Sequence, residues 1–307
     1  MINHFVVKAM VSGLGVGLIV YLTLCLVLAI WQHRLIFVPS RQMDYTPKDL
    51  GLNYEDVWLT VLNLEGKKER LHGWWIPANS SKIDNPKVIL YFHGNGGNIS
   101  YNLTPAQRFQ SLGFSVFMID YRGYGESEGN FPTEAEVYRD SQTAWHYLVE
   151  QRKIKPQNII IYGHSLGGAI AIDLAVRQPQ AGGIIAENTF TSLRQMVDYQ
   201  SQFYQVFPID LILHQRFDSL GKLRLLQIPL LLIHGTSDRT VPSFMSQRLF
   251  NLANVPKQLL LVPYADHNNV ASVSGENYLE AIQEFNHLID DNLTQRNVKD
   301  KAHFLPR

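Results

Sequence analysis

A β-type apolar run, Asn158 to Tyr162, meets Gly163-His164-Ser165-Leu166-Gly167 and passes into an Ala- and Leu-rich stretch. A serine centred in G-x-S-x-G between a strand and a helix is a nucleophile elbow. The turn is tight enough that Ser165 must take a strained backbone angle, and Gly163 and Gly167 leave out the side chains that would clash there. The serine hydroxyl is thereby presented at the carboxyl end of its strand.

A serine hydroxyl is barely ionised near neutral pH. It needs a base within hydrogen-bond reach, and that base needs a third group to hold its tautomer. Downstream, the strand-like run Leu230 to Ile233 opens into a loop carrying Asp238, and the run Gln258 to Val262 ends in a loop carrying His267. The order Ser165, Asp238, His267, each after a presumed parallel strand, brings three distant positions to one edge of a sheet. Of the eleven histidines, His164 lies in the turn beside the serine but aims elsewhere, and His234 at a strand end suits packing or a loop hydrogen bond. Asp266 adjoins His267, and neighbouring loop residues seldom aim at each other, so Asp238 is the expected acid.

Acyl transfer also needs N–H donors where charge develops on a carbonyl oxygen. Leu166 offers one backbone amide as the residue after the serine, and the loop His93-Gly-Asn-Gly-Gly-Asn offers another from Asn95. A phosphate loop is the competing reading of these glycines. It fails because Ile99 stands where G-x-G-x-x-G requires glycine, and no G-K-[ST] follows.

These groups must be held by an α/β core. Strands are expected at Val57–Leu62, Leu71–Ile76, Val88–Phe92, Ser115–Asp120, Asn158–Tyr162, Gly183–Ala186, Leu230–Ile233 and Gln258–Val262. The central runs are nearly continuous in apolar residues, as parallel strands covered on both faces require. Thr133 and Glu136 form a capping box for one helix, and Leu279, Ile282, Phe285 and Ile289 recur at helical intervals in another, near Glu276 to Ile289. A single domain over residues 33–292 suffices, with a short insert near 190–227 and a polar, frayed tail at 293–307.

Before it, Ala9 to Gln32 is a 24-residue stretch without Lys, Arg, Asp, Glu or His. At about 1.5 Å per residue it can cross a bilayer. It exceeds a signal-peptide core and lacks a following small-x-small cleavage site, so residues 1–32 read as a membrane anchor. Lys8 precedes the run whereas Arg34, Arg41 and Lys48 follow it, which biases the soluble domain to the cytoplasmic side. Ala9, Gly13 and Gly17 at four-residue spacing would allow helix-mediated self-association, although glycine is common in membrane helices anyway.

In the 307-residue chain, 27 basic residues balance 27 acidic ones, so no net field exists to hold a polyanion, and no nucleic-acid partner is expected. The lone cysteine, Cys25, excludes an intrachain disulfide framework and a thiolate zinc cluster. No metal or organic cofactor is implied.

With HGNGGN, DYRGYGES, GHSLGG, HGTSDRTVP and ADH in this order, the chain resembles the α/β-hydrolase family throughout residues 41–292. Within it, the chain is similar to small, single-anchor serine hydrolases related to protein depalmitoylases and monoacylglycerol lipases; Leu35 to Arg41 and Arg216-Phe-Asp-Ser also carry this likeness. The resemblance implies a mostly parallel eight-stranded sheet flanked by helices. It also implies triad roles for Ser165, Asp238 and His267 and oxyanion roles for Asn95 and Leu166. Serine at 165, rather than Asp or Cys, argues against dehalogenase, epoxide-hydrolase and dienelactone-hydrolase chemistry.

About 40 residues before Pro229 are too few for a large helical cap, so an open site is expected. Phe190, Tyr199, Phe203, Tyr204 and Phe207 would line an acyl groove or pack on the sheet. The expected activity is hydrolysis of acyl esters or thioesters of lipid-like substrates near a membrane. Non-catalytic ligand binding or scaffolding on the same fold, and peptidase or acyltransferase chemistry, are the alternatives.

Overall fold

The computed structural model describes residues 4–63, 65–79, 86–200 and 202–303. Residues 1–3 of the expected anchor and 304–307 of the expected tail lie outside the described residues.

Eight strands form one sheet: β1 (Glu55–Leu62), β2 (Lys68–Ile76), β3 (Val88–Phe92), β4 (Ser115–Ile119), β5 (Ile159–His164), β6 (Gly183–Glu187), β7 (Leu230–Gly235) and β8 (Lys257–Val262). Their spatial order is β8-β7-β6-β5-β3-β4-β2-β1. β2 runs antiparallel to β1 and β4, and every other pairing is parallel. The chain leaves β3 in one direction for β4 and returns in the other for β5. The β3/β5 boundary is therefore the switch point at whose carboxyl edge a crevice opens.

The helices are α1 (His4–Ile36), α2 (Leu103–Ser111), α3 (Glu134–His146), α4 (Leu166–Arg177), α5 (Leu193–Gln200), α6 (Ile209–Ile212), α7 (Ser219–Leu223), α8 (Phe244–Leu252), α9 (Val270–Ser274) and α10 (Glu276–His303). Alternate residues of each central strand feed opposite faces of the sheet, as the two-residue period demands. Val88, Leu90 and Phe92 join the layer under α3, α4, α7 and α8, while Ile89 and Tyr91 join the layer under α2 and α10. Thr133 and Glu136 cap α3 reciprocally, the Glu136 carboxylate accepting from the Thr133 N–H at 2.9 Å.

Two features depart from the sequence reading. α10 does not fray after residue 292 but continues to His303, because no glycine or proline interrupts the chain before Pro306. Val38–Pro39, just beyond α1, pairs in parallel with Gly96–Gly97, a contact too short to show as a hydrophobic pattern. α1 itself is one N-terminal apolar helix, and its segment Met10–Ile36 is long enough to cross a membrane.

Candidate active site

Ser165 lies between β5 and α4 at φ 55°, ψ −119°, the strained turn that the glycine pattern implied. A Cβ on Gly163 would stand 2.0 Å from the Gly167 carbonyl oxygen, and one on Gly167 would stand 2.1 Å from that of Phe92. Only glycine fits either place, so the elbow is locked against β3 and the start of its own helix.

The three residues expected to meet do so. Ser165 Oγ lies 3.0 Å from His267 Nε2, and His267 Nδ1 lies 2.6 Å from Asp238 Oδ2. The other Asp238 oxygen accepts the backbone N–H groups of Thr240 and Val241, each at 2.8 Å. Burial works to raise the Asp238 carboxyl. Hydrogen bonds from His234, His267 and the Val241 N–H outweigh it and hold the group well below the usual carboxylate range. An ionised Asp238 keeps the proton of a neutral His267 on Nδ1, leaving the Nε2 lone pair toward Ser165.

The histidines set aside in the sequence take supporting positions. His234 is buried between Ser246 Oγ at 2.6 Å and the Val241 carbonyl at 2.8 Å, with Asp238 Oδ2 3.3 Å from its Nε2. His164 places Nε2 3.0 Å from the His267 carbonyl oxygen, and burial lowers the pKa of its ring, so it serves there as a neutral donor. Asp266 turns away from the His267 ring; one of its oxygens accepts the His267 backbone N–H at 2.7 Å.

Asn95 and Leu166 lie on opposite sides of the switch point. Leu166 is the first residue of α4, where backbone amides have no partner within the helix. The loop around Asn95 is pinned from several directions. Its carbonyl accepts from Val38 N–H at 2.9 Å and Tyr124 Oη–H at 2.6 Å, and its side-chain amide donates to the Ile36 carbonyl at 3.1 Å. His93 Nδ1 lies 2.7 Å from the Gly94 carbonyl oxygen, and across a trans peptide this turns the Asn95 N–H away from His93.

Asn188 was not legible as a site residue. It is fully buried at φ 47° just past β6, donates its side-chain amide to the His267 carbonyl at 2.6 Å, and accepts the Gly235 N–H at 3.0 Å. Its only sequence signal is a polar Glu-Asn-Thr run directly after an apolar strand.

The site is also less open than expected. Ser165 is only 7% exposed and sits where two cavities meet, with Asn95 and Thr240 shared between them. One, of about 700 Å³, is polar: Arg108, Glu187, His164 and Tyr91 are among the residues on its walls. Glu187 Oε2 accepts from Tyr278 Oη–H at 2.7 Å and Tyr162 Oη–H at 3.1 Å, which leaves a buried carboxylate held by phenols at the cavity floor. The other, of about 260 Å³, is apolar and lies under the insert. Phe190 and Tyr204 line it, whereas Phe203 and Tyr199 are largely exposed and Phe207 stacks on Tyr21.

Sheet order, elbow and the contacts at its edge define an α/β hydrolase. A family model described as serine aminopeptidase S33 matches residues 84–221. Protein bem46 of Schizosaccharomyces pombe is 34% identical over 257 residues, 80% of this chain and 81% of that protein. The α/β-hydrolase domain-containing protein WAV2 of Arabidopsis thaliana is 32% identical over 253 residues, 77% of this chain and 80% of its own. The chain belongs to the α/β-hydrolase family that includes these relatives. Among solved structures, the Pyrococcus furiosus esterase Pf2001 superposes with a TM-score of 0.66 at 21% identity, covering 81% of this chain and 97% of that one, a likeness of fold.

Proposed function

We propose that the protein is a membrane-anchored serine hydrolase of acyl esters or thioesters, with Ser165 as nucleophile, His267 as general base and acid, and Asp238 orienting the imidazole. The observation that carries this reading is the unbroken chain from Ser165 Oγ through His267 to Asp238, at 3.0 Å and 2.6 Å, on a strained serine at the switch point. Ser165 Oγ attacks the acyl carbonyl as its proton passes to His267 Nε2, and the carbonyl π-electrons move onto oxygen. The amides of Asn95 and Leu166 hold that oxyanion. Its collapse breaks the bond to the leaving alcohol or thiol, which takes the proton from His267. Water then gives a proton to Nε2, attacks the acyl-serine, and releases the acid as Ser165 recovers its proton.

α1 serves as the anchor, and the excess of Arg and Lys beyond it favours a cytoplasmic soluble domain. The test is covalent. A fluorophosphonate probe labels the wild type and not Ser165→Ala, and mass spectrometry places the adduct on the elbow peptide. Labelling that persists in Ser165→Ala, or a folded wild type that never reacts, would sink the reading.

A further inference from the structure

α1 does more than precede the domain, because its last turns are built into it. Gln32 is the polar residue that ends the uncharged run, and its side chain is buried. Its Oε1 accepts the backbone N–H groups of His214 and Gln215 at 2.8 and 2.9 Å, and its Nε2 donates to the Ile212 carbonyl at 3.0 Å. Higher on the same helix, Tyr21 Oη–H donates to the Val206 carbonyl at 2.9 Å, and its ring stacks on Phe207. The helix and the insert are therefore joined by specific hydrogen bonds at two levels.

Between these elements lies the apolar cavity. Leu28 and Ile36 of α1 form one wall, Phe190, Met196 and Ile212 of the insert region form the other, and Ser165 lies at the inner end. One turn above Leu28, on the same face of α1, Leu24 is exposed and apolar. The cavity wall is thus continuous with a surface that lipid chains would cover. Across Ser165 the larger cavity is more polar, with Arg108, Glu187 and His164 on its walls. Its Arg108 guanidinium makes no hydrogen bond or ion pair among the described residues, and Glu187 is held by tyrosines.

From this asymmetry we infer that the end of α1 is one wall of the acyl-chain site. The substrates are esters or thioesters of long-chain acyl groups resident in the bilayer. The chain enters laterally along α1 into the apolar cavity, and the polar leaving group occupies the cavity with Arg108 and Glu187. The inference rests on the serine-hydrolase reading above and deepens it. An acyl carbonyl held at Ser165 has two substituents pointing to opposite sides, and of the two cavities the smaller is the one walled mainly by apolar side chains, the better place to desolvate methylenes.

The experiment uses the full-length protein in nanodiscs, with p-nitrophenyl acetate, octanoate and laurate as substrates. The wild type should favour laurate in kcat/KM. Leu28→Trp, from α1, and Met196→Trp, from the insert, should each lower the laurate-to-acetate ratio by about tenfold and move the optimum to shorter chains. Unchanged ratios would overturn the inference. Should both variants misfold, a second measurement decides: a fluorophosphonate with a long alkyl chain ending in a diazirine is bound to wild-type Ser165 and irradiated. Cross-links to α1 or to residues 190–213 support the acyl wall, and cross-links confined to residues 101–108 or 268–272 refute it. Failure of the probe to react at Ser165 at all would count against the hydrolase mechanism itself, a different outcome from a misplaced chain.

Discussion

The side chain of Asn188 holds the backbone of His267: its amide donates to the His267 carbonyl at 2.6 Å while its own carbonyl oxygen accepts from Gly235 at 3.0 Å. The loop that carries His267 is therefore fixed to the ends of β6 and β7. Asn188→Ala frees that carbonyl and lets the imidazole drift from Ser165. Turnover should fall by about 10²-fold with KM little changed, as expected for a small misplacement of a catalytic group. A steady-state kinetic comparison checks it; a variant that folds and retains wild-type kcat would show that the loop needs no such tie.

Asp238→Asn tests the tautomer argument. The variant can still accept the Thr240 and Val241 amides through one oxygen, so the fold should survive. Its NH₂ would face His267 Nδ1, forcing the ring proton onto Nε2, where it points at Ser165 and the ring can no longer act as base. A loss of turnover on the order of 10⁴-fold is expected, with fluorophosphonate labelling slowed in parallel. Normal labelling in a folded variant would remove Asp238 from the mechanism.

Arg122 is a structural counterpart of this network. Its guanidinium is buried, contacts Asp140 at 2.5 Å, and also reaches Glu136 and Glu69 at 3.3 and 3.4 Å. Burial works against the Asp140 carboxyl and raises its pKa, whereas Arg122 favours its charged form. Arg122→Met leaves three carboxylates without their cation and should destabilise the fold by about 3–5 kcal/mol. Urea unfolding of the variant in a fixed detergent measures this, and an unchanged midpoint would refute it.

Beneath the Asn95 loop, Asp120 is fully buried, and burial pushes its carboxyl up to about 8, while burial brings His93 down to about 4. Unfolded, an aspartate titrates near 3.9. Between these limits the native state holds a proton that the unfolded chain has lost, so stability from Asp120 is full below the lower value and is lost as pH rises to the upper one. Burial of neutral His93 acts in the opposite sense, its contribution being lost as pH falls below the ordinary histidine value. Asp120→Asn removes the carboxyl and with it the first effect, while His93, whose Nε2 lies 3.5 Å from Asp120 Oδ1, stays buried beside a neutral amide. Its melting temperature relative to wild type should climb as pH is raised from about 4 to about 8. Parallel curves would mean that Asp120 is ionised in the fold.

The fold was legible wherever backbone geometry restricts residue choice. Gly163 and Gly167 announced the elbow because no side chain fits there, and the runs at β3, β5 and β7 announced parallel strands because both faces are covered. Ser165, Asp238 and His267 followed from their shared position at strand ends. Asn188, Gln32 and the two-residue bridge at Val38–Pro39 were not legible. Each acts through one or two side-chain or backbone contacts to residues far along the chain, and such contacts leave no periodicity. The cavities were illegible for a related reason: the wall supplied by α1 depends on how a helix with apolar residues all round is rotated against the insert.

The bridge between Val38–Pro39 and Gly96–Gly97, together with the Asn95 side chain on the Ile36 carbonyl, has a practical consequence. A shortened protein begun at residue 41 for ease of purification would lose more than its greasy leader. It would discard the pairing and hydrogen bond that brace the Asn95 loop, and with them Leu28, Gln32, Leu35 and Ile36 from the wall of the apolar cavity beside Ser165. Kinetics recorded on such a fragment would describe a different catalyst.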